Sequence, residues 1–567
     1  MKANKFFLGL ALIGAILTGC EKDKTGNQGN YDTTSYMSVS IAQAGGTRGT
    51  EATEKFLQGT KDENQITTVD FYFYDASGVA FSFTAANDGA TDPVGGNEYA
   101  SNVYTYTPGK ITEESSNIDE IVNATLVIQH NKGNIPATMI AVINSKTPGE
   151  YVNKSLSDVK NAEIVANKYV NAGGHVMTNS VYKGVDGATI VMETPITYEN
   201  LAINADDAIA NPVTIYVERT AARVQVKENE ATEKYNTETK IFYAGESTEI
   251  PVYAKIMGWD IVTYANTTTL AKSIELWDDN KFKGFNWNQA ALHRSYWAKT
   301  NTDLTKTFTW ESLKSNEVNK GVDYCLENTT PLTDVNNKLL VNADASRSED
   351  LDITRTNVTK VVVAAQLVNA EGTPLTIYNW FGSNYRSEAD LKTAVAQSLK
   401  NDLILNGTPI TAAQIKLVEN VGANLKSVKV DGREIGEQYS YEVYFDLADG
   451  VATTGWKNLG GTEVTASDKL KEVRNVKVWN NGMAYYIVNI EHLGNKTDDY
   501  ENGYYGVVRN HAYEITFNGV KGLGTPIYSA TTTYPEPVTP DHTESYVAAE
   551  INVLAWHLVK QSVILGQ

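Results

Sequence analysis

Residues 35–49 read SYMSVSIAQAGGTRG. In the first half of this stretch, Met37, Val39 and Ile41 alternate with serine and alanine. A period of two is typical of a β-strand that buries one face. The stretch therefore predicts an early strand for the core of a β-rich domain, followed at once by a glycine-rich connection. We expect this strand to fill an edge position of the first domain.

The glycine-rich connection ends in a single arginine. Arg48 is followed by Gly49, and the next arginine in the chain is Arg219. Exposed loops of small residues are preferred sites of proteolysis, so an arginine-specific protease would have one early target. We predict cleavage of the Arg48–Gly49 bond, which would remove the first strand and open its groove. Taken alone, Arg48 would be interpreted as a solvated loop residue.

The overall composition favours a surface protein with a large β-rich core. The chain has 567 residues, 42% of them hydrophobic, and a formal net charge of −20. This acidity argues against nucleic acid or an anionic membrane surface as a partner, because both would repel the protein. The two cysteines are Cys20, near the amino terminus, and Cys325. We therefore expect no disulfide framework and a buried Cys325 that acts as a small hydrophobe.

The amino terminus has the pattern of a bacterial lipoprotein signal. Lys2 and Lys5 precede the apolar run Phe6–Leu17, which is too short to span a bilayer. The run ends in Leu-Thr-Gly-Cys, the spacing of a lipobox, so we predict a signal peptide at 1–19 and lipidation of Cys20. The exported precursor would then be tethered to a membrane. An ordinary signal peptide with a chance cysteine is the alternative.

Strand-like segments separated by turns predict a mainly β fold with a few short helices, at 155–167 and 387–403, each opened by a Ser/Asp capping pair. All nine tryptophans lie at or after Trp259, which places a domain boundary near residue 232. The predicted division is a propeptide with the removable strand at 20–48, two domains at 49–232 and 233–540, and a terminal segment at 541–567.

Patterns of catalytic or metal-binding residues are missing from the sequence. None of the 7 histidines forms an HExxH motif or a pair four residues apart. No nucleophile elbow, Walker A loop or dinucleotide fingerprint stands in a suitable context, and the acidic stretch at 343–350 lacks the spacing of an EF-hand. We predict a protein that is not an enzyme and that needs no metal or cofactor.

The carboxy-terminal segment is strongly strand-forming. It follows a proline-containing linker at 534–540, and its apolar residues are Ile551, Val553, Trp556, Leu558, Val563, Ile564 and Leu565. An apolar strand on a linker aggregates unless a groove receives it. We predict that it fills, in another copy of the chain, the groove that the first strand vacates. Since donor and groove lie at different ends, the contact is head-to-tail and builds a filament. An ordinary last strand of the second domain is the alternative.

Several stretches resemble the Bacteroidales fimbrillins (type V pilins), in particular the shaft subunits of short fimbriae. The most specific block is YYIVNIEHLG followed by YGVVRNHAYEITFNGVKGLGTP. The other stretches are YVERTAARVQV (216–226), HVMTNSVY (175–182), HRSYWA (293–298), YCLENT (324–329) and VLAWHLVKQSVIL (553–565). Their order and spacing cover essentially the whole chain.

The resemblance implies two β-sandwich domains with Greek-key-like, transthyretin-like topology. It implies export as a lipoprotein, removal of the first strand by an arginine-specific protease, and head-to-tail donor-strand exchange with other copies. The family's anchor and tip subunits are the implied accessory partners, and a surface fimbria that supports adhesion, coaggregation or biofilm formation is the implied product. The YGVVRNH stretch is expected to set strand packing and a turn rather than to bind a ligand.

Two other classes of function compete with the fimbrial one. A tethered lipoprotein could bind glycans through tryptophans on one exposed face, whereas buried tryptophans would argue against that function. A fimbrial anchor would lack a cleavable loop, and a tip subunit would lack a free donor strand or carry an added domain. An enzyme is the least favoured class.

Overall fold

A computed structural model describes the backbone of residues 33–43, 56–57, 59–85, 101–108, 121–130, 133–165, 170–171, 174–183, 190–228, 236–272, 304–305, 307–318, 320–329, 359–419, 429–430, 433–434, 443–490, 506–535 and 556–565. Within these ranges the chain is mainly β with short helices, as the sequence predicts. The strands form two large groups of sheets and one smaller inserted group.

The first group begins with a long strand and ends where the chain leaves its sheet. The strands along this part of the chain are β1 (Thr33–Gln43), β2 (Phe56–Leu57), β3 (Val69–Tyr74), β4 (Thr84–Ala85), β5 (Val103–Tyr106), β6 (Ile121–His130), β7 (Thr138–Ile143), β8 (Glu163–Val165), β9 (Val170–Asn171), β10 (Gly174–His175), β11 (Met177–Asn179), β12 (Tyr182–Lys183), β13 (Ile190–Val191), β14 (Thr194–Pro195) and β15 (Val213–Arg219). Two of them, β2 and β8, pair with strands of the second group. The helices in this part are α1 (Lys61–Asn64), α2 (Leu156–Lys160) and α3 (Ala205–Ala210).

The second group lies on both sides of an insert. Its strands before the insert are β16 (Ala221–Glu228), β17 (Asn236–Ile241), β18 (Ile250–Val262), β19 (Tyr264–Ala265), β20 (Thr267–Thr269), β21 (Leu304–Thr305), β22 (Thr307–Phe308), β23 (Val322–Leu326), β24 (Asn328–Thr329) and β25 (Lys360–Val368). The insert holds β26 (Ile377–Trp380), β27 (Ser383–Tyr385), β28 (Ile404–Leu405), β29 (Thr408–Pro409), β30 (Ile415–Glu419), β31 (Lys429–Val430), β32 (Arg433–Glu434), β33 (Val443–Leu447), β34 (Trp456–Lys457) and β35 (Val476–Trp479), with α4 (Glu388–Ser398) and α5 (Ala466–Lys471). The strands after it are β36 (Met483–Asn489), β37 (Gly506–Val507), β38 (His511–Val520), β39 (Thr525–Pro526), β40 (Tyr534–Pro535) and β41 (Trp556–Leu565).

The first domain is one curled sheet in the order β4-β6-β1-β15-β11-β7-β3-β5, with β14 beside β7. Its two ends meet, because Phe83 pairs with Ser101 next to β5. Successive side chains of a strand point to opposite faces of the sheet, so every second side chain points inward. Phe71 and Phe73 lie in the inner core, whereas Tyr72 and Tyr74 lie on the outer face.

The second domain is a β-sandwich. A seven-stranded sheet, β2-β41-β38-β16-β23-β19-β21, faces a five-stranded sheet, β17-β18-β25-β36-β39. One hydrophobic core lies between the two sheets and includes Val224 and Ile515 from the first and Trp259 and Val363 from the second. Interleaved side chains from two inner faces are what defines a sandwich.

The chain passes from one domain to the other at Thr220, a residue that is fully buried. β15 belongs to the curled sheet, and β16, which follows it, pairs with β23 and β38 of the sandwich. The sequence predicts 213–226 as one bulged strand or a strand pair, and the structure resolves it into two strands in different sheets. The change of sheet precedes the predicted boundary near residue 232, which stays a prediction.

The insert was not foreseen from the sequence. It lies between β25 and β36 and has its own hydrophobic core, which includes Leu391, Val395, Phe445 and Trp456. The predicted helix at 387–403 is α4, and it begins at the predicted cap, Ser387, whose side chain accepts a hydrogen bond from the backbone of Asp390.

The first predicted helix, at 155–167, is correct only at its start. Ser155 and Asp158 form a capping box, and α2 ends at Lys160. The residues that follow form β8, which pairs with β20 of the second domain. A capping box is a local signal, whereas pairing with a strand far along the chain is not visible in a local pattern.

Candidate functional site

The first strand lies inside the curled sheet. β1 pairs antiparallel with β6 from Thr33 to Ala42, and parallel with β15 from Val39 to Gln43. The predicted edge position is therefore wrong: β1 has a neighbour on each side. An alternating pattern indicates that one face of a strand is buried. It does not indicate whether the strand pairs with one neighbouring strand or with two. We call the space that β1 fills between β6 and β15 the strand slot.

The side chains of β1 complete the inner core. Met37 and Val39 are 0% exposed and lie in the inner core of the curled sheet. Ser35 is buried too, and its hydroxyl lies 2.8 Å from Nε2 of His130 on β6. Ile41, the third predicted core residue, pairs through its backbone with Ile215 and Val122. Loss of β1 would uncover apolar core together with the N–H and C=O groups of two strands.

A short helix borders one end of the strand slot. β15 begins its pairing opposite Val39, so it does not flank the earlier part of β1. α3 packs against β1 and β6, and its Ala208 is 1% exposed. The slot is thus a groove with strands on both sides and a helix near one end.

The carboxy-terminal strand is held by the sandwich. β41 runs parallel to β38, from His557 beside His511 to Leu565 beside Val520, with a bulge near Gly519. On its other side, β2 pairs antiparallel with the start of β41. Within this chain, β41 therefore occupies the position of a last strand, and the pairing continues along the whole of β41.

The strand slot and the position of β41 each provide one parallel and one antiparallel neighbour. β1 has a parallel neighbour, β15, and an antiparallel neighbour, β6. β41 likewise has a parallel neighbour, β38, and an antiparallel neighbour, β2. Because β6 and β15 run antiparallel to each other, a strand that enters the slot in either direction can pair with both of them.

A buried ionic cluster joins the two domains next to β2. Glu63 in α1 accepts hydrogen bonds from Tyr324 (2.5 Å) and from Arg223 (3.0 Å), both in the sandwich. Burial raises the pKa of Glu63, but the hydrogen bonds of Tyr324 and Thr60 and the charges of Arg223 and Arg219 bring the pKa below its usual value. Glu63 is therefore a charged residue that links the two domains. We call Glu63, Arg219 and Arg223 the junction anchor.

Arg219 completes this anchor from the last position of β15. Its Nε donates to the carbonyl of Glu63 (2.9 Å), and its NH1 donates to Oδ1 of Asn510 (3.0 Å). It also donates to the side chain of Asn64. Arg219 is 1% exposed, so its removal would leave several buried acceptors without their donor.

The YGVVRNH stretch lies in the same junction. Arg509 is fully buried, and its Nε donates to Glu327 (2.6 Å) while NH1 and NH2 donate to the carbonyls of Leu270 (2.6 Å) and Thr269 (2.7 Å). Asn510 has a positive φ of 56° and turns the chain into β38. These contacts match the structural role expected for the stretch.

His175 makes the junction sensitive to acid. It is 3% exposed, and its ring lies edge-on to Tyr324 at 4.8 Å between centroids. Burial, and then the positive charge of Arg219, lower the pKa of His175 to about 4. In the unfolded chain its pKa is about 6.5. Between these two pKa values the unfolded chain binds more protons than the folded chain. The contribution of neutral His175 to the free energy of unfolding is therefore complete above about pH 6.5 and is lost towards pH 4.

We expect His175→Gln to reduce the loss of stability on acidification. Between pH 7.5 and 4.5 the wild type should lose about 2 kcal/mol more of its free energy of unfolding than the variant. In the wild type the imidazole of His175 takes up a proton when the chain unfolds, whereas the variant has no imidazole at this position. Urea unfolding at the two pH values measures this difference. Equal losses in both proteins would contradict the assignment.

Several predicted site residues lie outside the described ranges, namely Cys20, Arg48, Gly49, Ile551 and Val553. The others are placed by the backbone: Met37, Val39 and Ile41 in the strand slot, and Trp556, Leu558, Val563, Ile564 and Leu565 in β41. Cys325 is buried, as predicted, and burial raises the pKa of its thiol.

Two other features, a metal-binding cluster and a membrane-spanning helix, are absent from the part of the chain that the structure describes. No three histidine, cysteine or acidic side chains there could together hold a metal ion. None of the helices in those ranges is long and apolar enough to cross a membrane. The absence of a metal and of a cofactor stays a prediction.

Residues 477–562 match a family model described as "Major fimbrial subunit protein type IV, Fimbrillin, C-terminal". This part of the chain is therefore similar to the carboxy-terminal part of fimbrillins. The match runs from β35 into β41 and so includes β38, the strand that holds β41.

Two solved structures are distantly similar to this chain. A fimbrial assembly protein from Parabacteroides distasonis ATCC 8503 is 12% identical over 59% of this chain and 82% of its own, with a TM-score of 0.27. The tip fimbrial protein Mfa3 from Porphyromonas gingivalis, with a C-terminal truncation, is 10% identical over 60% of this chain and 82% of its own, with a TM-score of 0.26. No curated protein matches the chain.

Sequence reasoning missed the anchor and the short strand before it. Thr60 and Glu63 have the spacing of a capping box, which is a usable signal for α1. The burial of Arg219 and Arg223 has no comparable signal, because it depends on strands from both domains meeting at one place.

Proposed function

We propose that this protein is a fimbrillin: a non-enzymatic shaft subunit of a surface fimbria that assembles with other fimbrial subunits and polymerises by protease-triggered donor-strand exchange. The match of residues 477–562 to the fimbrillin family model supports this class of function. Cleavage after Arg48 frees β1, and β41 of another copy enters the strand slot between β6 and β15. The observation that carries this proposal is that β1, which precedes Arg48 in the chain, fills a slot in the inner core between β6 and β15, so its removal would open an apolar groove. A strand of another copy could fill that groove by β-augmentation.

The interior position of β1 supports the proposal more strongly than an edge position would. An edge groove offers one row of backbone partners, whereas the strand slot offers a second row, from β15, along Val39–Gln43. Each backbone hydrogen bond contributes about 1 kcal/mol net, and full burial of a side chain such as Met37 or Val39 adds about 2 kcal/mol. A donor strand held on both sides should therefore dissociate very slowly.

The proposed life cycle follows from the two ends of the chain. The precursor is exported, lipidated at Cys20 and tethered to the outer membrane, where an arginine-specific protease removes residues 20–48. Polymerisation is head-to-tail, with accessory anchor and tip subunits at the fibre ends. The fimbria then supports adhesion, coaggregation or biofilm formation.

A tethered glycan-binding lipoprotein is less well supported. Of the tryptophans that the structure describes, Trp259, Trp310, Trp456 and Trp479 are buried and Trp380 is half-buried. Buried indole rings are core residues and cannot stack on a sugar. The tryptophans that favoured glycan binding therefore lie, where they are described, in hydrophobic cores.

The insert favours an accessory fimbrial role as the second candidate. A tip subunit is expected to carry an added domain, and the insert between β25 and β36 has a separate core. An accessory subunit would not propagate a chain of identical copies. The two roles therefore differ in whether the purified, cleaved protein polymerises by itself.

A synthetic peptide with the sequence of residues 33–43 tests the proposed exchange. Added in excess during cleavage, it should refill the strand slot and leave the protein monomeric, reducing ladder formation at least about tenfold. A peptide of the same sequence with Val39→Asp is the control and should inhibit weakly, because a carboxylate would enter the core. Undiminished ladders with the wild-type peptide would contradict the proposal.

A further inference from the structure

The short strand β2 covers the start of β41. Phe56 pairs with His557 and Leu57 with Trp556, antiparallel, at the edge of the seven-stranded sheet. β2 is the continuation of the chain after the predicted cleavage site, whereas β1 precedes that site. A single stretch of chain therefore joins the strand in the slot of one domain to the strand that borders β41 in the other.

β2 is fixed on its carboxy-terminal side by the junction anchor. Gly59 is followed by Thr60, whose backbone N–H and hydroxyl form the capping box with Glu63. Asn64 donates to the carbonyl of Gly59 (3.1 Å) and accepts from Arg219. The chain just after β2 thus cannot shift without breaking buried, charge-assisted contacts.

On the proposed function given above, we propose that Phe56–Leu57 is a latch that keeps β41 on β38 until the chain is cleaved. In the uncut chain the latch is an internal segment, with β1 seated in the strand slot before it and α1 anchored in the junction after it. Cleavage after Arg48 turns the latch into a strand near a new amino terminus, attached through α1 alone. Terminal segments fray far more readily than segments held at both ends.

A single cleavage after Arg48 then affects both the strand slot and the donor strand β41. It lets β1 leave the strand slot, and it loosens the strand that borders β41. A subunit would release its donor strand only after its own slot can accept one. This order prevents an uncut precursor from exposing an apolar strand that has no slot to fill.

Hydrogen–deuterium exchange of the amides in 556–565, followed by mass spectrometry, tests the latch in the full chain. We expect faster exchange in the cut protein than in the uncut protein, by roughly tenfold, as for the loss of about one net backbone hydrogen bond. Leu57→Pro removes one backbone N–H from β2. In the uncut variant it should speed the exchange of 556–565 by a similar factor while 33–43 stays protected.

The matched control is Ala85→Pro in β4. β4 is also a two-residue edge strand, pairs with β6 in the curled sheet and does not border β41. The control should leave the exchange of 556–565 unchanged. Equal exchange of 556–565 in uncut, cut and Leu57→Pro proteins would overturn the latch.

A reversible disulfide gives a second test that does not weaken the fold. Paired antiparallel residues lie within the Cα separation that a disulfide needs, so Phe56→Cys with His557→Cys should fasten β2 to β41. Oxidised and cut, this variant should keep the slow exchange of the uncut protein in 556–565, and reductant should restore fast exchange. Fast exchange while oxidised would overturn the latch.

These readouts separate the latch from the proposed function. If the cut wild type exchanges faster in 556–565 but forms no ladders, the latch stands and donor-strand exchange fails. If it forms ladders while the exchange of unassembled cut subunits matches that of uncut ones, polymerisation stands and the latch fails.

Discussion

An Arg48→Ala precursor is expected to remain monomeric in the presence of an arginine-specific protease, whereas the wild type forms ladders. The intact chain keeps β1 in the strand slot, where Met37 and Val39 are fully buried. A competing strand would have to displace both side chains at a cost of about 4 kcal/mol, or about a thousandfold in the equilibrium. Gel analysis without boiling, with the amino terminus determined by mass spectrometry, measures the effect.

Arg48→Lys is the matched control for this experiment. It removes the site for a protease that accepts arginine alone, but a trypsin-like protease still cleaves it. The control should therefore assemble with the second protease and not with the first. If uncut Arg48→Ala protein formed ladders, β1 would not have to leave the strand slot before assembly. That result would contradict protease-triggered donor-strand exchange.

A chain that ends at Pro540 is expected to accept a donor strand and to donate none. After cleavage it should not polymerise alone, and mixed in equal amount with cleaved full-length protein it should shorten the ladders strongly. The reason is that each truncated copy ends the chain it joins, since head-to-tail growth needs both ends of every subunit. Light scattering and unboiled gels measure chain length.

The control for the truncation ends at Leu565 and keeps the whole of β41. It should assemble as the full chain does. Circular dichroism checks that the protein ending at Pro540 is folded, because loss of β41 exposes the edge of β38. Long ladders of folded protein that lacks 541–567 would rule out β41 as the donor.

Local patterns predicted the strand elements of the site well. The alternation of Met37 and Val39 placed both side chains correctly in a core, and the apolar residues of 556–565 predicted a strand that the structure contains. Both results depend on side-chain periodicity, which is fixed by the backbone geometry of a strand.

Features that depend on distant pairing were not predictable from the sequence. The alternation in β1 could not show that β6 lies on one side and β15 on the other. Similarly, nothing in VTIYVERTAARVQV indicates that the chain changes sheets at Thr220. The partner strands come from far along the chain, and a local pattern does not identify them.

The insert and the junction anchor could not be predicted from the sequence either. The sequence predicts 233–540 as one domain, yet the insert has a core of its own. The anchor places Glu63, Arg219 and Arg223 together although they belong to a helix and to strands of two sheets. Buried charges require partners, but the sequence does not say which charges are buried.

Electron cryo-microscopy of the polymer formed by the cleaved wild type tests the central claim most directly. We expect the density between β6 and β15 to fit the side chains of 551–565 and to continue into the linker of a neighbouring subunit. Density in the strand slot that fits residues 33–43, or a β41 that remains on β38 of its own subunit throughout the fibre, would contradict donor-strand exchange.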